Sequence, residues 1–284
     1  MKKILSFALM LALCSCGSEA TQTAEIAPSN AKEYETINTV RLTVAEGKKL
    51  IAKGLFANAD VQAKLQKGMV IITRGTTNTY IAEEFVGYAG ERGSLVTGKI
   101  IPTGKEDFTK GITRSDDLVI IDGKLVEMSY ADALAKMSDG DIIFKGANLM
   151  NYSKSQAGIC IGAPDGGTVA RLSPYAKSGA ARWIIPVGLE KDTSSDLLEI
   201  SDMLALNSER RNKATLLWAV ESKDIYTEIE AIKEFANVDV LPIANGGVAG
   251  AEGGVSLLIC GTKAEVAKAT AAAESVIGEG AFVK

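Results

Sequence analysis

The residues best suited to chemistry fall in four short loops, each directly after an apolar run. They are Arg74-Gly75-Thr76-Thr77-Asn78, Lys145-Gly146-Ala147-Asn148, the glycine-rich stretch 162–168 around Asp165, and Gly188-Leu189-Glu190-Lys191. The first follows the run Met69–Thr73 and precedes a helix expected over Thr79–Phe85. A strand, a Gly-Thr turn and a helix N-terminus make an anion site, because free backbone amides and the helix dipole point the same way. A tight turn with Thr77 or Asn78 as a plain N-cap is the alternative. The second loop offers Lys145 and Asn148 as ligand contacts. In the third, Gly166, Gly167 and Thr168 surround the carboxylate of Asp165, which could accept a proton or a sugar hydroxyl; a surface turn built by Pro-Asp-Gly is the competing reading. The fourth supplies Glu190 and Lys191, readable also as a solvated ion pair worth about 0–1 kcal/mol. Asp165 and Glu190 are thus the acid/base candidates, with Lys145 or Lys191 as electrostatic partner.

Composition narrows the chemistry further. The chain has no histidine, which removes Ser-His-Asp and Cys-His catalysis, imidazole acid/base work and His-ligated zinc. The Gly-Thr turn lacks the GK[ST] of a P-loop, and no cofactor or metal is expected. A net charge of −4 without a basic, aromatic-interleaved patch argues against a nucleic-acid partner.

These loops need elements to hold them. Ile142–Phe144, Ile159–Ile161 and Trp183–Val187 are candidate buried parallel strands whose C-terminal ends would line a crevice. Upstream, Thr43 and Glu46 fit a capping box opening a helix through Leu50, Ile51 and Leu55, with Gly54 weakening its end. A short helix lies around Val61–Leu65. Leu118–Asp122, Gly123 and Lys124–Glu127 read as a hairpin, and Ser129 caps a helix over Tyr130–Met137. The fold expected is α/β: an open, mostly parallel, Rossmann-like domain over residues 38–195, a linking helix at 196–211, and a smaller α+β domain at 212–284.

That last part reads strand (Ala214–Val220), helix (Lys223–Ala236, capped by Ser222), two strands (Val238–Ala244 and Val255–Cys260) and an Ala-rich helix opened by Thr262 and Glu265. The order is most of a ferredoxin-like plait, and it is similar to bacterial-microcompartment shell modules. The glycine-rich tip Gly246–Gly254 could close over the crevice or lie in a subunit interface, so a homo-oligomer is a possible assembly. Cys160 and Cys260 sit inside apolar strands, as buried thiols or as a disulfide.

The N-terminus reads as an address. Met1-Lys2-Lys3 precedes the apolar run Ile4–Leu13, too short to span a bilayer. Leu13-Cys14-Ser15-Cys16 resembles the bacterial lipobox, which implies a signal peptide over 1–15 and lipidation of Cys16. Each buried acyl methylene is worth about 0.8 kcal/mol, so the attached chains would anchor the protein in a membrane. The expected location is the periplasmic face of an outer membrane, or the cell surface of a single-membrane host. Residues 16–37 are polar and aperiodic and read as a disordered tether, with a reach on the order of 25 Å.

GMVIITRGTT followed by a helix, then DIIFKGAN, GICIGAPDGGT and PVGLEK, resembles the superfamily of ribose-5-phosphate isomerases, glucosamine-6-phosphate deaminases and CoA transferases. The likeness spans roughly residues 44–192, in loop style. It implies phosphate binding at Gly75, Thr76 and Thr77, and a ligand loop beginning at Lys145, Gly146 and Ala147. Where the isomerases carry Asp-Gly-Ala-Asp, this chain has Lys145-Gly146-Ala147-Asn148, and the Glu-Asn-Gly of CoA transferases is absent. The expectation is an anchored lipoprotein whose α/β domain binds a small anionic ligand of phosphosugar or carboxylate type. An isomerase-, deaminase- or transferase-like enzyme using Asp165 or Glu190, or a non-catalytic assembly module, is the alternative.

Overall fold

Four strands run parallel through the centre of the chain: β2 (Met69–Ile72), β5 (Asp141–Phe144), β8 (Ala181–Pro186) and β10 (Ile225–Tyr226). The hairpin β3 (Leu118–Ile121) and β4 (Lys124–Val126) adds antiparallel to β2, completing a six-stranded mixed sheet of order β10-β8-β5-β2-β3-β4. The computed structural model describes residues 32–163, 165–210 and 215–283. The expected signal peptide, Cys16 and most of the tether lie outside these residues. Glu35–Lys284 form one compact unit. Among the described residues no helix is long and apolar enough to cross a membrane.

Sequence explains the centre. β2 and β5 are buried along their whole length, as strands covered on both faces must be, and read as apolar runs apart from Asp141 at the start of β5, whose Oδ1 accepts from Met69 N at 2.9 Å. Helix α1 (Val44–Ala57) opens with the complete Thr43–Glu46 capping box and buries Leu50, Ile51 and Leu55, each worth about 1.5–3 kcal/mol. It packs on α3 (Thr76–Val86) and α7 (Glu228–Lys233), and α2 (Ala59–Gln66) follows it directly. Gly54 does not end α1. A Cβ there would lie 2.6 Å from Ala231 Cα, so the glycine permits α1 to approach α7 closely. The Asp122-Gly123 hairpin forms as expected, both residues at positive φ (47° and 77°). Ser129 caps α4 (Tyr130–Lys136).

Several elements depart from expectation. Ile159–Ile161 belongs to β7 (Gln156–Ile161), which is not part of the parallel sheet. It pairs antiparallel with β6 (Leu149–Asn151) and β9 (Leu216–Glu221) in a separate three-stranded sheet. α5 (Gly167–Ser178) then returns the chain to β8. In place of a helix capped by Ser222, the short strand β10 joins the sheet, and Thr227 with Glu230 forms the capping box of α7. The end of the expected tether is ordered: β1 (Thr36–Leu42) pairs with β12 (Val255–Gly261), which also pairs with β11 (Asp239–Asn245). α6 (Leu197–Leu206) and α8 (Lys263–Glu274) complete the helices. Residues 212–284 thus contribute strands to all three sheets. Cys160 lies on β7 and Cys260 on β12, and no disulfide joins them.

Candidate functional site

A crevice forms where chains leaving adjacent parallel strands diverge. After β2 the chain passes through α3 and on to β3 on one side. After β5 it runs toward β8 on the other. The cleft at this divergence is lined by Arg74, Gly75, Thr76, Thr77, Asn78, Lys145, Asn148 and Lys191, joined by Lys99 and Cys160. It holds about 80 Å³ of water-accessible volume. That is more than a single water needs and is on the scale of a small anion.

The turn after β2 is rigidly held. Asn78 Nδ2 donates to Thr73 O at 2.7 Å and to Phe144 O at 3.0 Å, tying the ends of β2 and β5 together. α3 begins at Thr76, three residues earlier than expected. Gly75 at its N-cap offers no side-chain acceptor, so the first-turn N–H groups face the cleft side uncapped. Asn78 is 1% exposed and its Oδ1 has no hydrogen-bond partner. A buried, unsatisfied acceptor of this kind costs about 1–3 kcal/mol unless something fills it.

Among the described residues, four cations line the cleft and no carboxylate does. Arg74 Nε lies 3.5 Å from Asp117 Oδ1 without forming a hydrogen bond. Lys99 pairs with Asp107 at 3.1 Å, and Lys191 Nζ donates to Ala147 O at 2.8 Å. Lys145 differs: it is half-buried, and its Nζ makes no hydrogen bond or ion pair among the described residues. Its backbone is fixed at both ends, the N–H donating to Ile184 O at 3.2 Å and the C=O accepting from Trp183 Nε1 at 2.8 Å. Burial holds its ammonium below the usual lysine range; Asp117 opposes this, and Lys191 and Arg74 add repulsion. Burial likewise lowers Lys191, partly offset by Glu190. The Cys160 thiol is pushed up by burial, with Lys191 opposing. Asn148 braces the wall: its Oδ1 accepts from Cys160 N and its Nδ2 donates to Gly98 O.

The two expected acids are elsewhere. Asp165 is exposed, accepts from Gly167 N at 2.9 Å and pairs with Arg171 at 3.2 Å. With Gly166 at positive φ (79°), it shapes the start of α5, and Thr168 O accepts from Tyr130 Oη there. Because β7 left the parallel sheet, loop 162–168 opens on a separate groove beside Trp218. Glu190 lies in a 3₁₀ turn, Leu189–Lys191, and is not among the residues that line the cleft. It is 3.3 Å from Lys48 Nζ and faces Glu228, whose Oε2 accepts from Leu189 N at 2.9 Å. Glu228 is fully enclosed. Burial first, then the Glu190 charge, raises its carboxyl to about 8.

Lys99 and Asp117 escaped the sequence reading because both lie in the stretch 87–117, which has no helix or strand. Its one usable signal was the apolar pulse at Leu95-Val96: Leu95 O accepts from Gly75 N at 2.9 Å and docks the stretch on the cleft. No family model matches this chain, and no curated protein or solved structure matches it.

Proposed function

We propose that the protein binds a small anionic ligand, a phosphorylated sugar or an organic acid, in the cleft between the ends of β2 and β5. One observation carries the reading: Arg74, Lys145, Lys191 and the uncapped N-terminus of α3 meet in one small cleft whose lining, among the described residues, holds no carboxylate. Excess positive charge in a partly desolvated site favours an anion far more than the same charges would in water. The parallel run β2-β5-β8 supports a Rossmann-like reading of residues 38–195, although β10, from residues 225–226, extends the same sheet. The antiparallel β11–β12 pair with α8 supports the ferredoxin-like reading of the C-terminal part.

The lipobox at Leu13–Cys16 supports a membrane-anchored lipoprotein, on the periplasmic face of an outer membrane where the host has one. Palmitate labelling that disappears in Cys16→Ser tests the anchor. A thermal-shift panel of inorganic phosphate, sugar phosphates and small carboxylates, repeated on Lys145→Met, tests the ligand. Stabilisation of the parent protein by one of these classes, lost in the variant, supports binding at this cleft. A flat response from every compound contradicts it.

A further inference from the structure

The geometry points to Lys145 as a carbonyl-reactive amine, one that forms an imine with a small ligand bearing both an anionic group and an aldehyde or ketone. This rests on the anion-binding reading above and adds the ligand's second functional group. Lys145 stands apart from every other cation of the cleft. Lys99 is held by Asp107, Lys191 by Ala147 O, and Arg74 faces Asp117, whereas Lys145 Nζ makes no hydrogen bond or ion pair among the described residues. Its main chain is clamped to β8 through Ile184 O and Trp183 Nε1, so the side chain projects from a fixed base at the end of β5. A lysine placed beside other cations in a partly dry pocket keeps a larger share of free amine and is activated as a nucleophile. Burial and the neighbouring Lys191 and Arg74 act in that direction here.

The same cations would hold the ligand's carboxylate or phosphate, presenting its carbonyl carbon to Nζ. The neutral amine adds to that carbon, forming the C–N bond and moving the carbonyl electron pair onto oxygen. Proton transfer from nitrogen to that oxygen gives a carbinolamine. The hydroxyl takes a proton from solvent, the C–O bond breaks and the oxygen leaves as water. The nitrogen lone pair forms the C=N bond and the iminium returns its N–H proton to solvent, with no net oxidation or reduction.

The test is reductive trapping on the purified protein. It is incubated near neutral pH with cyanoborohydride and one of four probes: pyruvate or glyoxylate, for an oxo-carboxylate, and dihydroxyacetone phosphate or glycolaldehyde phosphate, for an oxo-phosphate. Intact mass and peptide mapping then locate the secondary amine. The expected result is one covalent label, on the Lys145 peptide, with one probe class, suppressed by excess inorganic phosphate and lost in Lys145→Arg. The responding class identifies the anionic group. A label scattered over surface lysines, confined to Lys99 or Lys191, or absent with all four probes overturns the assignment. The site of labelling in the parent protein decides this even if Lys145→Arg folds poorly. Calorimetry with inorganic phosphate on the same preparation separates the two readings: binding without labelling defeats only the imine, and neither defeats both.

Discussion

Asp117 grips Arg74 at two points: its Oδ1 accepts the Arg74 amide N–H at 2.8 Å and lies 3.5 Å from Arg74 Nε. Asp117 is a negative charge directly beside the cleft, and its field also reaches Lys145. It therefore positions the arginine while tempering the positive field an anion would meet.

Replacing it with asparagine keeps an acceptor for the Arg74 amide and removes the charge. Asp117→Asn is expected to tighten binding of inorganic phosphate on the order of fivefold, from about 1 kcal/mol of repulsion between carboxylate and anion removed at intermediate dielectric. Calorimetry at low salt checks this, since screening would mute the difference. Weaker binding in the variant would mean that Asp117 itself contacts the ligand.

Gly75 gives a test in which stability and binding move oppositely. Its backbone is extended, as an N-cap requires, and an added Cβ would meet nothing nearer than 3.9 Å. Gly75→Asp should cap α3 and stabilise the fold by a few tenths of a kcal/mol. The same carboxylate would occupy the amides offered to an anion, so phosphate binding should vanish. Retained binding with raised thermal stability would place the anion elsewhere.

How far the sequence foretold this arrangement depends on what each segment packs against. α1 and the strands β2, β5 and β8 were legible from a capping box and apolar runs, which follow from local chemistry. Ile159–Ile161 looks the same in sequence but lies in an antiparallel sheet, because a short apolar strand does not encode its partner. That mispairing carried Asp165 away from the cleft while Arg74, Lys145 and Lys191 met there. β1 escaped notice because its residues alternate weakly and are ordered by pairing with β12, more than 200 residues away. The early start of α3 was hidden by Gly75, which caps without the side chain that usually marks a helix N-terminus.

The enclosed Glu228 carboxyl makes stability depend on pH. Its folded-state value is raised from 4.5 to about 8 by burial and by Glu190, with Lys48 opposing. The folded protein therefore keeps a proton that the unfolded chain releases, and this group's contribution is lost as pH rises from 4.5 to about 8. In Glu228→Gln, whose amide oxygen still accepts from Leu189 N, that loss should be absent. Denaturant unfolding should show the variant gaining on the parent protein across this range and levelling off above it. Parallel profiles would show that Glu228 is ionised in the folded state.

At Gly54, helix propensity and packing oppose each other. Alanine there gains about 1 kcal/mol of propensity. Its Cβ, however, would lie 2.6 Å from Ala231 Cα and 2.7 Å from Tyr226 Oη, and overpacking of this kind costs about 1–3 kcal/mol. Part of the contact is backbone, so α7 itself must move. Gly54→Ala is expected to lower the melting temperature by several degrees, with a normal circular dichroism spectrum. A rise would show that α1 and α7 separate freely.

The most direct measurement is a calorimetric titration of inorganic phosphate into the parent protein and into Lys145→Met at low ionic strength. One charge-assisted contact is worth about 1.5–3 kcal/mol, so the variant should bind roughly 10 to 100 times more weakly, at unchanged fold. Equal affinity in the two proteins, or no heat from either, would contradict an anion site at the ends of β2 and β5.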